Sequence, residues 1–293
     1  MRNVNRMCLT LVFVLGMLSC RGAYAMGEAG AQFLEMGVGS RACAMGEAFA
    51  AVSDDATAIY WNSAGLTQIE SPEITAMQNF WLADMSYQYV ALVVPSRLGS
   101  LGVAVAYSSS GEIPKYENFQ HTGEYTAYDA AGTLAYARKL AGFMSYGVSI
   151  KFIQQKIEEE SASGFAGDMG LLCTPEILHG LKLGVAVQNM GSGIKFIEKS
   201  DPLPLNVRAG VAYRMGPLLL ASDINKPRDN DVHLGIGGEF VVRDVLAVRV
   251  GYNSANSYSA GIGLTWRKVS VDYAYVPYEH IGDTHRISAR VRF

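Results

Sequence analysis

The sequence is poor in charged residues and, beyond its first 25 residues, lacks any apolar run that could form a membrane-spanning helix. Asp, Glu, Lys and Arg make up 17% of the 293 residues, whereas 49% are hydrophobic. A soluble domain usually has about a quarter of its residues charged. After residue 25, no window holds about 18 apolar residues without a charge, as a transmembrane helix requires. The chain therefore either has an unusually large core or lies in a membrane without using helices.

Cysteines and common enzyme motifs are also scarce. Cys43 and Cys173 are the two cysteines beyond residue 25, and they show no CxxC spacing. We read both as buried small residues, although one disulfide could join them. The sequence has no nucleophile elbow GxSxG. Residues 37–42 match the dinucleotide pattern GxGxxA, but no strand precedes them and no βαβ unit follows. We therefore expect no cofactor and no enzyme, although a Ser, a His and an acid could still converge at a barrel rim.

The charge balance argues against nucleic acid as a partner. The formal net charge is −3, and it becomes −6 if 25 leading residues are removed, since these hold three Arg and no acids. A mildly acidic chain has no bulk attraction to nucleic acid. The five His are scattered along the chain. Two of them, His280 and His285, share a segment with Glu279 and Asp283, which we read as a solvated loop rather than a metal site.

The first 25 residues have the features of a secretory signal. Arg2 and Arg6 make a basic start, and residues 8–20 form an apolar stretch of signal-peptide length. Residues 23–25 (AYA) fit the small-x-small cleavage rule, so we expect cleavage after them. The alternative is a lipoprotein signal that ends at Cys20, which fits less well because the position two before that cysteine is usually small.

From about residue 72 onwards, the sequence alternates between apolar and small or polar residues. In residues 143–154 (FMSYGVSIKFIQ), every second residue from Met144 to Phe152 is apolar, whereas Ser149 and Lys151 lie in the other set. Successive side chains of a strand point to opposite faces, so such a strand has one apolar face. Fourteen segments are predicted as strands: 72–81, 85–94, 99–109, 125–138, 143–156, 166–174, 180–189, 204–214, 216–225, 231–242, 244–253, 256–266, 268–277 and 284–293.

The lengths and connections of these segments predict a membrane barrel. A tilted strand needs about ten residues to cross a bilayer, and most of the segments have that length. The connections after even-numbered strands are short, and several after odd-numbered strands are longer and more polar, as in outer-membrane barrels. An even strand number places both ends at the periplasmic side. A soluble sandwich or barrel would also alternate, but aromatic residues at the strand ends fit the girdles of a membrane barrel. These residues are Tyr107, Tyr136, Tyr213, Tyr252 and Trp266.

The last strand supports a fourteen-stranded antiparallel transmembrane β-barrel. The chain ends on Phe293, and a terminal Phe resembles the assembly signal of such barrels. Arg286, Arg290 and Arg292 share the opposite face of this strand. An Arg that faces lipid near the midplane costs about 2–4 kcal/mol, so these three are expected to face the lumen. The candidate lumenal acids that would balance them are Asp129, Asp168, Asp223, Glu239 and Asp272.

Residues 26–71 do not alternate and are predicted to form a small helical plug. Ser40 can cap a helix that runs to about Val52, and Asp54 or Asp55 can cap a second helix over residues 56–61, which Gly65 can end. The simpler alternative is a small periplasmic cap. A barrel of fourteen strands is too wide to be filled by its own side chains, so a plug is expected in its lumen.

Residues 39–66, GSRACAMGEAFAAVSDDATAIYWNSAGL, resemble the N-terminal signature of FadL-type outer-membrane transport proteins. That signature runs roughly GARAxGMGGAFVAxADDAxAxxxNPAGL, and the resemblance is greatest to the shorter branch with PorV-like proteins. It implies a signal peptide at 1–25, a lumenal hatch at 26–71 and a barrel at 72–293. The hatch motif would comprise Asn62, Ser63, Ala64 and Gly65, in which Ser63 replaces the Pro of the family.

The resemblance also implies passive uptake of hydrophobic molecules such as long-chain fatty acids across the outer membrane. The ligand would enter from outside, pass a pocket above the hatch and leave sideways through a kinked strand into the outer-membrane lipid. Strand 3, with Gly99, Gly102 and residues 108–111, is the first place to look for such an opening. Four side chains could contact the ligand or simply pack the hatch against the wall. They are Phe49, Ile59, Trp61 and Leu66.

PorV-like relatives imply a second function, in which the barrel works with a protein partner in secretion or surface attachment. This alternative predicts a stable protein complex and no saturable binding of fatty acids. A rim enzyme, the third alternative, would lose its activity on the change of a single Ser or His.

Overall fold

The computed structural model describes residues 29–81, 85–117, 120–196, 200–255, 257–278 and 282–293. Fourteen antiparallel strands form a closed barrel, which confirms the predicted fold class. A further pair of two-residue strands, β8 and β9, forms a small hairpin in the connection between β7 and β10. The strands in chain order are β1 (Glu73–Phe80), β2 (Ser86–Ser96), β3 (Gly99–Glu117), β4 (Gln120–Ala141), β5 (Met144–Ile157), β6 (Glu160–Cys173), β7 (Leu181–Gly191), β8 (Ile194–Lys195), β9 (Ser200–Asp201), β10 (Asn206–Met215), β11 (Leu218–Pro227), β12 (His233–Val242), β13 (Leu246–Asn253), β14 (Ser257–Trp266), β15 (Val269–Tyr278) and β16 (Gly282–Arg292).

The barrel closes between its first and last strands. Strand β1 pairs with β16 from Glu73 opposite Arg292 to Phe80 opposite His285, and the backbone N–H of Phe293 donates to the carbonyl of Pro72 at 2.9 Å. Every barrel strand therefore has two neighbours, and no edge is left open. Short connections join β2 to β3, β4 to β5, β6 to β7, β10 to β11, β12 to β13 and β14 to β15. We call this side of the barrel the turn end. The opposite side is the loop end.

The two faces of the strands are those that the alternation predicts. In β5 the side chains of Ile150 and Phe152 are exposed on the outer surface, whereas Ser149 and Lys151 are buried in the lumen. The outer surface carries a continuous set of large apolar side chains, including Val103 and Leu264. A lipid bilayer can cover such a surface. None of the described helices is long enough or apolar enough to cross a membrane.

Strands β3 to β6 are longer than predicted, and this is a correction to the assigned loops. Residues 110–117 and 120–124 were expected in a polar outer loop, but they extend β3 and β4 as a hairpin beyond the barrel. The expected loop at residues 157–165 is likewise strand, with a two-residue turn between β5 and β6. The polar residues of these segments predict loops, because no lipid faces this part of the strands and neither of their faces has to be apolar. Their backbone groups nonetheless pair across the hairpins, and Lys115 contacts Glu158 between the two.

The segment before the barrel, Ala29–Ile69, contains four short helices and lies inside the lumen, and we call it the lumenal segment. Its helices are the 3₁₀ helix Gln32–Glu35, the α-helices Ser40–Ala44 and Ala58–Trp61, and the 3₁₀ helix Ser63–Gln68. The predicted signal peptide, with both cleavage alternatives, lies outside the described residues, as do Glu279 and His280. Cys43 and Cys173 are both described and both buried, and no disulfide joins them.

The predicted helix from Ser40 to Val52 is wrong beyond Ala44. Gly46 and Glu47 both have φ near +62°, which ends the helix. The backbone N–H groups of Phe49 and Ala50 instead donate to the Asp223 carboxylate at 2.9 and 2.8 Å. Barrel-wall side chains thus take over backbone groups that a longer helix would have paired internally.

The second predicted helix spans Ala58–Trp61 and so begins two residues later than predicted. The residues predicted to cap and to end it need correction. Thr57, not an Asp, is the residue before the helix, and it makes no side-chain cap. Asp55 accepts hydrogen bonds from the backbone N–H and hydroxyl of Thr57, whereas Asp54 pairs with Arg41. Gly65 does not end this helix, because it lies within the following 3₁₀ helix.

Candidate functional site

Glycines on the lumenal face of the wall let the backbone of the lumenal segment approach closely. A Cβ atom added to Gly147 would lie 2.3 Å from the carbonyl carbon of Ser63. A Cβ at Gly251 would lie 2.0 Å from the backbone nitrogen of Gly46. Real Cβ atoms do not come this close to backbone, so the wall accommodates the segment only where side chains are missing. The small residues of the alternating pattern therefore form the wall surface against which the lumenal segment packs, and we call this surface the seat.

Arg41 joins the lumenal segment to the wall through buried ion pairs. Its Nε and Nη2 donate to the two Glu239 oxygens at 2.7 and 2.9 Å, and its Nη1 donates to Asp54 at 2.5 Å. On the other side of Glu239, Arg249 donates to the same carboxylate at 2.7 Å and to Asp272 at 2.6 Å. Burial alone would raise the pKa of Asp54, but Arg41 and a nearby lysine hold this pKa below its usual range. Arg41 Nη1 also lies 3.3 Å from Asp55. The network thus has two arginines among four carboxylates, so removing one member leaves a charge in the lumen without its partner.

The arginines of β16 face the lumen as predicted, but their predicted partners are wrong. Arg290 lies 3.6 Å from Asp55, and Arg292 donates to Glu73 at 2.8 Å. Arg286 is completely buried and donates to the Gly37 carbonyl, the Cys43 thiol and the Tyr278 hydroxyl. None of the five acids proposed from sequence pairs with β16 among the described residues. Four of them contact Lys151, Arg208, Arg41 or Arg249, and Asp129 accepts from Gln155.

The structure brings the residues of the predicted hatch motif into one turn against the wall. The Asn62 side chain accepts from the Ala64 N–H at 3.1 Å and donates to the carbonyls of Ala50 and Leu171 at 2.8 and 3.0 Å. It therefore caps the 3₁₀ helix and also fastens it to strand β6. Ser63 is buried at the first position of this helix. Proline fits this first helical position because its missing N–H is not needed there. The turn forms here although Ser63 replaces the proline of the family signature.

The four apolar candidates are buried within the lumenal segment or against the wall. Phe49 and Trp61 pack with ring centroids 6.2 Å apart, and the Trp61 indole N–H donates to the Val38 carbonyl at 2.9 Å. Arg208 of strand β10 lies 4.7 Å above the Trp61 ring. Ile59 and Leu66 lie against the wall at Gly102. Among the four, Ile59 lines an internal pocket.

A vestibule of about 570 Å³ opens above the lumenal segment at the loop end. Its floor comes from residues 31–37 and Tyr60, and aromatic side chains such as Trp81 line one side. Polar side chains from the ends of many strands line the rest. The Asn and Gln amides among them were not predicted from the sequence. They are scattered along the chain, and only their shared position at the loop-end termini of strands could have pointed to them. Polar lining residues include Glu35, Glu47, Asp129, Gln155, Asn189, Asn206, Arg208, Asn225, Asn230, His233 and Asn253.

Glu35 is the acid of this vestibule whose ionisation is most perturbed. Burial, together with the neighbouring carboxylates of Asp229 and Glu47, raises its pKa to about 7, and Arg208 partly opposes this rise. At neutral pH this carboxyl group is therefore about half protonated.

Two smaller cavities lie near the vestibule, one inside the lumen and one on the outer surface. The first, about 20 Å³, shares the lining residues Leu34 and Tyr60 with the vestibule. Its other lining residues are Ile59, aromatic and small residues of β2 to β4, and Lys151 of β5. The second, about 310 Å³, is an apolar groove on the outer surface over strands β3 to β6. It shares Thr133 and Lys151 with the internal pocket. Gly132 lies in the groove, and a Cβ atom added to it would have no neighbour within 4 Å.

Strand β3, where an opening was expected, has a bulge between Ser109 and Glu112, and Gly111 has φ +69°. The bulge is bridged, because the Ser110 hydroxyl accepts from the Ala127 N–H at 3.0 Å. The groove lies further towards the turn end and involves β3 only through Ala104. The groove thus lies beside β3, over strands β4 and β5, which pair without interruption there.

Solved structures with this architecture are hydrocarbon and FadL-type transporters. The Ralstonia pickettii toluene transporter TbuX superposes with a TM-score of 0.66 at 13% identity over 88% of this chain and 98% of its own. The Pseudomonas putida toluene transporter TodX gives 0.68 at 11% identity over 88% and 99%. A Pseudomonas aeruginosa FadL homologue gives 0.59 at 13% identity over 87% and 97%. The chain has the fold of these transporters.

No family model and no curated protein matches the sequence. At these identities the similarity establishes the fold and leaves the substrate to be argued from this chain's own residues. Both toluene transporters are covered over nearly their whole length.

Proposed function

We propose that this chain is an outer-membrane channel of the FadL type that lets small hydrophobic molecules diffuse passively into the membrane. The observation that carries this proposal is the series of three cavities that share lining residues. Leu34 and Tyr60 line both the vestibule and the internal pocket, and Thr133 and Lys151 line both the pocket and the outer groove. A hydrophobic molecule that follows them never has to cross the lumenal segment.

The lumenal segment would act as the hatch, and residues 62–65 would hold it in place. The segment blocks the direct route through the lumen because its backbone contacts the wall at Gly147, Gly184 and Gly251. A molecule in the vestibule would then leave towards Ile59 and the wall of β4 and β5. Small shifts of Ile59 or Tyr60 would widen the internal pocket, which holds about one water molecule at 20 Å³.

Uptake of radiolabelled toluene by cells that express the full chain tests this proposal. Wild-type protein should accelerate uptake relative to the same cells without it. Gly132→Trp should abolish most of this acceleration, because the indole would fill the outer groove. Gly238→Trp is the matched control, since Gly238 also lies on the outer face of a strand but away from the groove. Uptake equal to that of cells without the protein would refute the channel, and equal rates in both variants would refute the lateral path.

The second candidate function, a surface component with a protein partner, is favoured by the extended hairpins of β3 to β6. Tyr116 is 64% exposed on the β3–β4 hairpin and its ring packs against His121. Affinity purification from native membranes distinguishes the two functions. A partner that is retained by wild type and lost on Tyr116→Ser, with unchanged toluene uptake, would support the second.

A further inference from the structure

Exposed basic side chains surround the turn end of the barrel, and we call them the basic rim. They lie in or directly beside the connections β2–β3, β4–β5, β12–β13 and β14–β15. None of them forms an ion pair within the described part of the chain, so their charges are free to act on a partner outside the barrel. The rim consists of Arg97, Arg138, Lys139, Arg243, Arg267 and Lys268.

Large apolar side chains stand next to these bases and are exposed as well. Leu98 follows Arg97 and is 76% exposed, and Trp266 precedes Arg267 and is also 76% exposed. Leu140, which follows Lys139, is 63% exposed. These side chains continue the apolar outer surface of the barrel, which lipid covers, down to the level of the bases. The partner of the rim must therefore offer an apolar part as well as a negative charge.

Two aromatic side chains place the rim at the depth of lipid headgroups. The Arg267 guanidinium lies 5.4 Å from the centre of the Trp266 ring, and the Tyr136 hydroxyl donates to the Leu98 carbonyl at 2.6 Å. Trp and Tyr collect at the boundary between hydrocarbon and headgroups. Bases that are held beside such rings lie at the level of the lipid phosphates, with their apolar neighbours at the level of the acyl chains.

The two ends of the barrel differ in charge. Among the described residues, the acids exposed at the turn end are Glu70, Glu176 and Asp244, half as many as the bases of the rim. At the loop end, three acids follow one another at the β5–β6 turn, residues 158–160, and all three are exposed. An anionic membrane surface therefore attracts the turn end and not the loop end.

We infer that the basic rim binds anionic phospholipids in the membrane leaflet at the turn end, with the headgroup phosphate on the bases and the acyl chains against Leu98, Leu140 and Trp266. A soluble acidic protein would satisfy the bases but would leave these apolar side chains uncovered, which is why we choose lipid. The inference rests on the membrane location of the proposed channel and does not depend on what the channel conducts.

Quenching of Trp266 fluorescence by brominated lipids tests the inference at the rim itself. Trp61 is completely buried and Trp81 lies at the loop end, so Trp81→Phe leaves Trp266 as the tryptophan that bromine can reach. The full chain is placed in phosphatidylcholine vesicles that contain brominated phosphatidylglycerol or, separately, brominated phosphatidylcholine. One Lys or Arg near an anionic surface strengthens attraction about fivefold, so we expect about a fivefold preference for phosphatidylglycerol at low salt. The preference should vanish at about 1 M NaCl, where the Debye length is about 3 Å.

Two triple variants assign the preference to the rim. Arg243→Gln/Arg267→Gln/Lys268→Gln should make the two lipids quench equally. The matched control Lys156→Gln/Lys195→Gln/Lys226→Gln removes the same charge from the loop end and should keep the preference. Each comparison is a ratio of two lipids on the same protein, so a change in the brightness of Trp266 cancels. The heat-modifiable band on unboiled gels shows that each variant still forms the barrel.

Several results would overturn the inference. Equal quenching of the wild-type chain by the two lipids would do so, and so would a preference that survives the rim variant or is lost in the loop-end control. Loss of the preference in inorganic phosphate, but not in NaCl of the same ionic strength, would identify free phosphate as the ligand instead of lipid. Equal quenching by both lipids, with an acidic soluble protein retained by wild type and lost by the rim variant, would identify a protein partner.

These results are independent of the proposed channel. No residue of the basic rim lines the vestibule, the internal pocket or the outer groove. Toluene uptake should therefore be the same in the rim variant and in wild type. Uptake that accelerates in both, together with equal quenching by the two lipids, would refute the rim and leave the channel standing.

Discussion

Replacement of Arg41 by Met should release the lumenal segment from the wall and leave the barrel intact. In the variant, Glu239 keeps Arg249 at 2.7 Å and Asp55 keeps Arg290 at 3.6 Å. Asp54, which is itself partly exposed, keeps the nearby Lys182 and Arg214 at 3.9 Å but loses its short contact to Arg41. Breaking a buried ion pair costs about 3–5 kcal/mol. Because two of the three acids keep other partners, we expect about 3 kcal/mol, or on the order of a 100-fold shift towards the released state.

The buried thiol of Cys43 reports this release. It lies in the helix Ser40–Ala44 next to Arg41, and burial raises its pKa to about 11, so both access and thiolate content suppress its reaction. Maleimide labelling of Cys43, in a Cys173→Ala background, should be on the order of 100-fold faster in Arg41→Met. The heat-modifiable band on unboiled gels should stay unchanged, since the strand pairing is not touched.

Two controls make the result specific. Arg243→Met removes an arginine from an exposed turn and should leave labelling unchanged. The double variant Arg41→Met/Asp54→Asn removes the uncompensated carboxylate as well, and it should label more slowly than Arg41→Met alone. Equal labelling rates in wild type and Arg41→Met would refute the reasoning, because the segment would then be held by its other contacts.

Three further predictions concern the seat, the hatch motif and the vestibule. Gly147→Ala should speed Cys43 labelling at least about tenfold through a clash with the backbone of the lumenal segment, whereas Gly132→Ala, which has open space, should not. Asn62→Ala removes three hydrogen bonds and should lower local stability by about 2 kcal/mol, measured by hydrogen exchange of the segment. Glu35→Gln should raise the denaturation midpoint at pH 8 but not at pH 4.5. Burial and neighbouring carboxylates raise the Glu35 pKa from 4.5 to about 7, so stability is lost as the pH rises through this interval, and at pH 8 the full loss is present, about 1 kcal/mol after solvent screening. An equal effect at both pH values would contradict this assignment.

The barrel could be predicted from the sequence because alternation is a local property. Each strand of β10 to β16 shows its two faces within about ten residues. In β5, Ile150 lies on the outer face and Lys151 on the lumenal face, as the alternation predicts. Strand length at the loop end could not be predicted, since hairpins that leave the membrane need no apolar face. The helix predicted from Ser40 to Val52 was too long, because Asp223, which is 173 residues away from Ala50, binds backbone groups that a longer helix would have paired.

The ion pairs of the lumen could not be predicted because they depend on how strands are staggered around the barrel. Arg41 and Glu239 are 198 residues apart, and Arg292 and Glu73 are 219 residues apart. Charge composition shows that such pairs are needed, but it does not show which residues form them. The vestibule was missed for the same reason, since its amides come from the ends of separate strands.

The close contacts between wall and lumenal segment also constrain the order in which the molecule is assembled. The segment precedes every strand in the chain, whereas the seam between β1 and β16 needs the last one. It binds Asp223 of β11, Glu239 of β12 and Ser288 of β16 from inside. A finished cylinder could admit this segment only by threading it past contacts that leave no room for a single methyl group at Gly251. We therefore expect the lumenal segment to be in place before the pairing of β1 with β16 closes the barrel.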